Sequence, residues 1–321
     1  MTSPLKVCVH IGPQLASYGF GHGHPFSPQR MDYFWNEAKR QGLDAKLHIL
    51  PPVMASREEL ERFHSSRYVD QVIRQSKTGD GYLDYGDTPA YEGVFESAGH
   101  VVGSVLDAVH HIMAGRYRRG FIPIAGLHHA RHDRAGGFCV FNDCGVAIAT
   151  LKEQYHLTRV AYVDIDAHHG DGVFYGFEED PYVYFADTHE DGHYLYPGTG
   201  HAHEQGKGEG KGKKLNIPLP PHADDTLFYK EWQRVEAFLL EARPEFILLQ
   251  CGADSIENDP ITHLQLSAQA HGRAAASLCR IAESLGHGRV LAVGGGGYNP
   301  RNIAQGWCQV VSALLETPIA E

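Results

Sequence analysis

An acidic, histidine-bearing segment in the middle of the chain has the residue types and the spacing of a metal site. It reads Tyr162-Val-Asp-Ile-Asp-Ala-His-His-Gly-Asp-Gly172. The apolar run that leads into it, Arg159 to Ile165, is typical of a buried parallel strand. Because side chains alternate along a strand, an extended chain would project Asp164, Asp166 and His168 from one face. Carboxylates and an imidazole in this arrangement suit a zinc ion with an open coordination position.

Other predicted strands also end in residues that could do chemistry. They are Gly120–Ala125 before His128 and His129, Phe246–Cys251 before Asp254, and Val290–Val293 before Gly294–Tyr298. The carboxyl ends of parallel strands lie at one edge of a sheet, where α/β folds place their active sites. The strand ends therefore predict one convergent site.

Asp166, His168 and Asp254 are the candidate metal ligands. Zinc held by two carboxylates and one imidazole would have room for water and a substrate oxygen, and would polarise a carbonyl. A lone aspartate at a strand end is about as often the cap of the following helix. Capping alone explains too little of so dense a cluster of ionisable groups.

His128 and His129 are the candidate acid and base, since hydrolysis must take a proton from water and protonate a leaving amine. Adjacent histidines can divide this work only in different environments. Asp164 and Asp171 are candidates to create those environments by hydrogen bonding to ring nitrogens. Tyr298 could point its hydroxyl at a developing oxyanion, or it could simply pack beside a glycine-rich turn.

Predicted strands alternate with helical patterns along the chain. Further strands are predicted at Lys6–Ile11 and Tyr182–Ala186, and helices after the caps Ser27 and Ser56 and at Tyr91–Arg116, Asp143–Gln154, Asp224–Ala242 and Ser267–Leu285. This alternation predicts an α/β fold with a central, mainly parallel β-sheet flanked by helices on both faces. The 321 residues contain no obvious linker or repeat, so one domain, 1–321, is predicted.

Charge and cysteine usage narrow the class of protein. A formal net charge of −11 disfavours nucleic-acid binding, which requires a basic surface. The cysteines are scattered and form no Cys-x-x-Cys pair, as expected of a reduced cytoplasmic protein. The sequence has no apolar run of membrane-spanning length and no signal-peptide pattern, so no membrane partner is predicted.

Two other features imitate ligand sites. Gly206–Lys214 alternates glycine with charged residues but lacks the Walker spacing and a preceding strand, so a surface loop is predicted. His22, His24, His201 and His203 lie in glycine-rich loops. Each could contact a metal adventitiously, but the prediction is that none of them does.

Together the motifs resemble those of the histone deacetylase superfamily, which has the arginase/deacetylase fold. The chain is most similar to class I enzymes and to bacterial acetoin-utilization-type deacetylases, over nearly its whole length. The matching segments are Gly21-His-Gly-His-Pro25, Ser27-Pro-Gln-Arg30, His128-His-Ala130, Gly137-Phe-Cys139, Asn142-Asp143, Asp164–Gly172, Pro197-Gly-Thr-Gly200, Asn216–Leu219, Gly252-Ala-Asp254 and Gly294–Asn299.

The resemblance implies a role for each residue of the predicted site. Asp166, His168 and Asp254 would hold Zn²⁺, with Fe²⁺ as the alternative metal. His129 would be the general base and then the acid, with His128 as its electrostatic partner. Asp164 and Asp171 would support the two histidines, and Tyr298 would polarise the acetyl carbonyl. An acyl-lysine channel would be lined by Gly137, Phe138, Tyr196 and Ile261. Asp87 would be a carboxylate at the rim that binds the peptide backbone, and Arg30 would lie along an internal channel.

A structural potassium ion is implied as well. Its ligands, partly through backbone oxygens, would be Asp164, Asp166, His168, Asp187 and Thr188. Many relatives have Ser-Leu-His where this chain has Asp187-Thr188-His189, so an extra carboxylate could tighten or alter that site. Ile256 stands where arginase-like members need a second metal-binding aspartate, so one catalytic metal is expected.

The resulting prediction is a zinc-dependent amidohydrolase that removes acetyl or another short acyl group from lysine ε-amines of proteins or peptides. Metal-activated water, a histidine base and acid, and a tyrosine that stabilises the oxyanion would carry the reaction. One alternative is an acetylpolyamine deacetylase, although the channel-narrowing insertion of those relatives is not found here. Another is a non-catalytic acyl-lysine binder. The oligomeric state stays open.

Overall fold

The computed structural model describes residues 7–21 and 23–317, which form one domain around a single parallel sheet. Lys6 and His22, which carried parts of two predictions, lie outside the described residues. The eight strands of the described chain are β1 (Val7–His10), β2 (His48–Leu50), β3 (Arg119–Ile122), β4 (Val160–Asp164), β5 (Val183–Glu190), β6 (Lys214–Leu219), β7 (Phe246–Gln250) and β8 (Val290–Val293). Their order is β2-β1-β3-β8-β7-β4-β5-β6. The predicted α/β fold with a parallel central sheet is confirmed.

Helices cover both faces of this sheet, and each face has its own hydrophobic core. Alternate strand residues enter different cores: Tyr162 packs on one face, and Ala161 and Val163 pack on the other. Among the described residues no helix is both long and apolar enough to cross a bilayer. The helices are α1 (Pro13–Ala16), α2 (Arg30–Arg40), α3 (Arg57–Leu60), α4 (Ser66–Thr78), α5 (Val94–Met113), α6 (Asp143–Glu153), α7 (Asp171–Gly176), α8 (Asp225–Ala242), α9 (Ala268–Ser284) and α10 (Pro300–Glu316).

The strand register sets the carboxyl ends of the central strands level with one another. Asp164 at the end of β4 pairs with Asp187 on β5 and with Gln250 on β7. Gln250 in turn pairs with Val293, the last residue of β8. The polar residues that follow these strands therefore begin at the same level along one edge of the sheet, which explains why they lie close together.

The segment Gly206–Lys214 differs from its predicted surface loop at its carboxyl end. Lys214 is buried and begins edge strand β6. Its Nζ donates to the carbonyls of Asp180 and Val183, at 3.0 and 2.7 Å. Those hydrogen bonds supply the partners that a buried ammonium group requires, so this lysine belongs to the sheet rather than to a solvated loop.

Candidate active site

The β4 strand ends earlier than predicted, and its aspartates direct the turn that follows. Asp164 Oδ1 accepts a hydrogen bond from the backbone N–H of Asp166 at 3.0 Å. Asp166 Oδ1 accepts one from the N–H of His168 at 2.9 Å. Such side-chain bonds to the backbone two residues on favour turns over strands. The chain therefore does not stay extended through His168, which was the condition for projecting the three side chains from one strand face, although they still lie close together.

Asp166, His168 and Asp254 form a buried cluster with the donor atoms of a metal site. His168 Nδ1 lies 3.0 Å from Asp166 Oδ1 and 3.1 Å from Asp254 Oδ2. All three ligand atoms fall within 4.8 Å of one another. One imidazole nitrogen and two carboxylates, with the rest of the coordination sphere free, fit a Zn²⁺ ion. The cluster is thus suited to the metal that the resemblance implies.

The protonation of this cluster reflects an excess of negative charge. Burial alone would lower the pKa of His168, but hydrogen bonds to Asp166 and Asp254 raise it to about 10. Burial and the charge of Asp166 raise the pKa of Asp254 to about 6. Two buried carboxylates lie within hydrogen-bonding distance of the same His168 nitrogen. A divalent cation would relieve their repulsion more completely than one imidazolium does.

Two glycines let the neighbouring backbone reach the metal-site carboxylates. A Cβ at Gly296 would lie 2.0 Å from Asp254 Oδ2, and a Cβ at Gly252 would lie 2.0 Å from Asp166 Oδ2. The Gly296 N–H instead donates to Asp166 Oδ2 at 2.8 Å. The glycine-rich turn after β8 therefore packs directly on these carboxylates and orients them, because any side chain there would collide with an oxygen.

His128 and His129 lie beside the metal cluster and point toward each other. Their Nε2 atoms are 3.1 Å apart. His128 Nδ1 lies 2.7 Å from Asp164 Oδ2, and His129 Nδ1 lies 2.7 Å from Asp171 Oδ1. One of the facing Nε2 atoms must carry a proton and the other must accept it. The two carboxylates hold both rings by hydrogen bonds to Nδ1.

The two histidines have opposite protonation preferences. Burial alone would lower the pKa of His128, but the charges of Asp164 and Asp166 raise it to about 9. Burial and the charge of His128 lower the pKa of His129 to about 4. Near neutral pH, His128 is an imidazolium and His129 is neutral, so the Nε2 of His129 is the proton-accepting atom of the pair. Two adjacent histidines are thus given different chemical capacities by their surroundings.

Tyr298 faces the same internal cavity as His128, His129, Asp166 and His168. Its backbone N–H donates to Asp259 Oδ2 at 2.8 Å, which fixes the start of the segment after the glycine turn. Burial and the charge of Asp254 raise the pKa of Tyr298 well above its ordinary value. The phenol therefore stays protonated and can donate a hydrogen bond into the cavity.

Comparison with known proteins identifies the family. The sequence profile of the histone deacetylase domain matches residues 24–314. The chain belongs to the histone deacetylase family. The acetoin utilization protein AcuC of Bacillus subtilis (strain 168) is 35% identical over 314 residues, which cover 93% of this chain and 79% of that protein. AcuC of Staphylococcus aureus (strain COL) is 32% identical over 323 residues, covering 98% and 83%.

A solved structure has the same fold. The crystal structure of the HDA15 HD domain superposes with a TM-score of 0.88 and 26% identity, covering 98% of this chain and 91% of that one. This similarity and the AcuC relatives confirm the predicted family and the predicted class of enzyme, a deacetylase hydrolase. The roles of individual residues within this deacetylase stay predictions.

Two of the residues predicted to form the acyl-lysine channel, Gly137 and Tyr196, lie against His129. A cavity of about 450 Å³ opens outward from His129 and is lined in part by Tyr196. The Tyr196 and His129 rings lie 5.1 Å apart, and those of Phe138 and Tyr298 6.0 Å apart. A Cβ at Gly137 would lie 2.3 Å from the His129 ring, so only glycine fits there. Ile261 is exposed and is absent from the described lining of this cavity.

The rim of the cavity carries a pair of carboxylates. Asp84, which the sequence did not single out, accepts hydrogen bonds through Oδ1 from the N–H groups of Gly86, Asp87 and Thr88. Although burial opposes it, hydrogen bonding from Asp87 and Thr88 lowers the pKa of Asp84 to about 2. Burial and interaction with Asp84 raise the pKa of Asp87 to about 7. Asp87 thus changes charge near neutral pH.

Arg131 is a further residue of the site that the sequence did not reveal. Its Nη2 and Nε donate to Asp171 Oδ2 at 2.6 and 3.1 Å. Asp171 uses its other oxygen to hold His129. The arginine therefore orients the carboxylate and draws off part of its charge, which limits how far Asp171 can raise the basicity of His129.

Arg30 is buried beneath the glycine turn that supports Tyr298. Its Nε donates to the carbonyl of Gly297 at 3.0 Å and its Nη2 to that of Gly295 at 2.5 Å. The guanidinium also lies 6.0 Å from the centre of the Tyr298 ring. Burial lowers the pKa of Arg30. In the described structure its visible contacts stabilise the turn; the predicted internal channel stays a prediction.

The residues predicted for potassium lie together but are engaged with each other. Asp187 Oδ1 lies 2.8 Å from His189 Nδ1, and its Oδ2 accepts from the Gly170 N–H at 2.9 Å. Thr188 Oγ1 donates to the carbonyl of Asp164 at 3.4 Å. The donor set fits potassium only in part, because an imidazole already faces the extra carboxylate. The potassium ion stays a prediction.

Proposed function

We propose that this deacetylase is a zinc-dependent hydrolase that removes acetyl or short acyl groups from lysine ε-amines of proteins or peptides, in the cytoplasm. The observation that carries the proposal is the close pair of histidines with opposite proton affinities beside a buried Asp-His-Asp cluster. A hydrolase needs a base and an acid next to its electrophilic centre. This arrangement supplies both, and Fe²⁺ would serve the same donors.

His129 and His128 carry the proton transfers in this proposal. Zn²⁺, when bound, supplies a Lewis acid that polarises the amide carbonyl and acidifies water. His129, neutral at Nε2, takes the proton from water and later gives it to the departing lysine amine. His128, held as an imidazolium by Asp164, stabilises the negative charge that develops. Asp171 fixes the tautomer of His129 through Nδ1.

Tyr298 contributes a neutral hydrogen-bond donor to the reacting carbonyl oxygen. We expect Tyr298→Phe to lower kcat for acetate release from an acetyl-lysine peptide by about 10²–10³-fold, the usual effect of removing one oxyanion donor. KM should change little, because the hydroxyl acts mainly on the developing charge. Tyr33→Phe, which removes an exposed hydroxyl bonded only to Gln29 in the described structure, is the matched control. An unchanged kcat in Tyr298→Phe would contradict the assigned role.

Asp87 is proposed to hold the backbone amides of a peptide substrate at the rim. Its carboxylate is charged above pH of about 7 and neutral below it, since the pKa of Asp87 is raised to about 7. We therefore expect KM for the peptide to rise roughly tenfold as pH falls through that value, because a charge-assisted hydrogen bond is lost.

The Asp87→Asn variant tests this pH dependence. It should have a high KM that no longer depends on pH between about 6 and 8. Asp70→Asn, an exposed carboxylate whose partner in the described structure is Arg57, away from the cavity, is the control and should keep the wild-type profile. If Asp87→Asn retained the pH-dependent KM, peptide binding by Asp87 would be refuted.

The alternative function, acetylpolyamine deacetylation, is favoured by one observation. Asp84 and Asp87 place two carboxylates at the rim, where a polyamine's second ammonium group could bind. Arg131 and Arg134 line the same cavity and offset that negative charge. We therefore place the peptide first. A non-catalytic acyl-lysine binder is the least favoured, because the metal-ligand and acid–base positions are all filled.

A further inference from the structure

We propose that Asp191, His193 and His201 form a second divalent-cation site at the surface, separate from the catalytic cluster. The sequence leaves an adventitious metal contact open for His201 but predicts that it binds none, and it does not single out Asp191 or His193. The three side chains each bring one ligand atom to within 4.8 Å of the others. They belong to the segment 191–201, here called the rim loop, which follows β5 and carries Tyr196 of the cavity wall.

The donor set defines the class of ion. Two imidazoles and one carboxylate suit zinc and its borderline neighbours nickel, cobalt and copper, and they suit magnesium and calcium poorly. His193 Nδ1 already lies 2.7 Å from Asp191 Oδ1, and the His193 and His201 rings are 5.0 Å apart. The side chain of His193 is 71% exposed and that of Asp191 is 31% exposed. Water can therefore complete the coordination sphere.

The backbone holds Asp191 and His201 in place before any ion binds. The Asp191 N–H donates to the carbonyl of Leu219 on β6 at 2.8 Å. The His201 N–H donates to Glu204 Oε2 at 2.7 Å, and Tyr175 holds the other oxygen of Glu204 at 2.8 Å. An ion would thus have to order mainly the side chains, which reduces the entropy lost on binding.

An ion at this site closes the two ends of the rim loop on each other. The loop is already tight, since a Cβ at Gly192 would lie 2.7 Å from the carbonyl of Thr199. Its far end is tied to the turn after β4, because His169 Nδ1 lies 2.8 Å from Thr199 Oγ1. A cation bound by Asp191 and His201 therefore restrains the segment that positions Tyr196 against His129. The bound ion would stabilise this wall of the predicted substrate channel.

Zinc titration followed by calorimetry tests the second site. Wild-type protein freed of metal should bind two equivalents, and the second should be the weaker because its ligands are exposed. The His193→Ala/His201→Ala double variant should lose the second equivalent, or bind it at least about 10-fold more weakly, and keep the first. His48→Ala, which removes an exposed histidine from β2 at the opposite edge of the sheet, should keep both.

Two further readouts separate this proposal from the proposed function. Asp254→Asn should lose zinc at the catalytic cluster and keep zinc at the site of Asp191, His193 and His201. The failure of either site is therefore seen independently. In wild-type protein with one equivalent bound, adding the second should slow hydrogen exchange of backbone amides within 191–201. A single equivalent in the wild type, a second equivalent that survives in the double variant, or protection confined to other segments would overturn the proposal.

Discussion

Replacing His129 with alanine is expected to lower kcat by about 10²–10⁴-fold with little change in KM. His129 is the neutral member of the histidine pair, because burial and the charge of His128 lower its pKa to about 4. Its Nε2 is therefore the atom that can accept a proton near neutral pH. Removing it takes away both proposed proton transfers, whereas the predicted acyl-lysine channel remains.

The measurement is acetate release from an acetyl-lysine peptide under saturating and sub-saturating conditions. The zinc content of His129→Ala should match that of the wild type, since the imidazole is not one of the metal-site donors. His100→Ala is a suitable control, because that ring bonds only to the Glu96 carbonyl of its own helix in the described structure. A His129→Ala variant with normal zinc and undiminished kcat would remove the residue from the mechanism.

Asp254→Asn is expected to abolish tight binding of zinc at the catalytic cluster and to lower kcat/KM by at least ~10²-fold. The substitution preserves the size of the side chain but replaces a carboxylate by a neutral amide. It leaves one carboxylate and one imidazole, too few charged donors for a stable site. Ala167, whose N–H donates to Asp254 Oδ1 at 2.9 Å, can still find an oxygen there, so the fold should persist.

Elemental analysis after dialysis against a weak chelator measures this effect. Asp70→Asn, an exposed carboxylate whose visible partner is Arg57, controls for the loss of one negative charge. Circular dichroism of both variants should match that of the wild type. Full retention of zinc by Asp254→Asn at the tight site would show that the metal is held elsewhere, and would contradict the assignment of the cluster.

The central strands and most of the site were predictable because their signals are local. An apolar run followed by aspartate or histidine predicts a buried strand whose carboxyl end carries reactive side chains, as at Asp164 and Asp254. The edge strands β2 and β6 were missed, because short runs with polar residues and a proline carry no clear period. Helices α4 and α10 were missed as well, although both are regular and begin at capped residues.

The supporting residues were not predictable in the same way, because their roles depend on contacts between distant segments. Arg131 belongs to the site because it donates to Asp171 on α7. Gln250 belongs to it because its Nε2 donates to Asp166 Oδ2 at 2.8 Å. Asp84 matters only because the rim folds its carboxylate onto three amides. Residue type and spacing do not predict such contacts. The register that places the end of β7, with Gln250, beside the end of β4 is set only when the sheet assembles.

The most direct test of the proposed function is kcat/KM of the zinc-loaded protein on an acetyl-lysine peptide and on N-acetylputrescine, measured side by side. We predict hydrolysis of both at the same site, with a preference of at least about 10-fold for the peptide. A preference for the polyamine would leave the His128–His129 chemistry intact but contradict the substrate class. Acetate release from neither substrate would contradict the central claim.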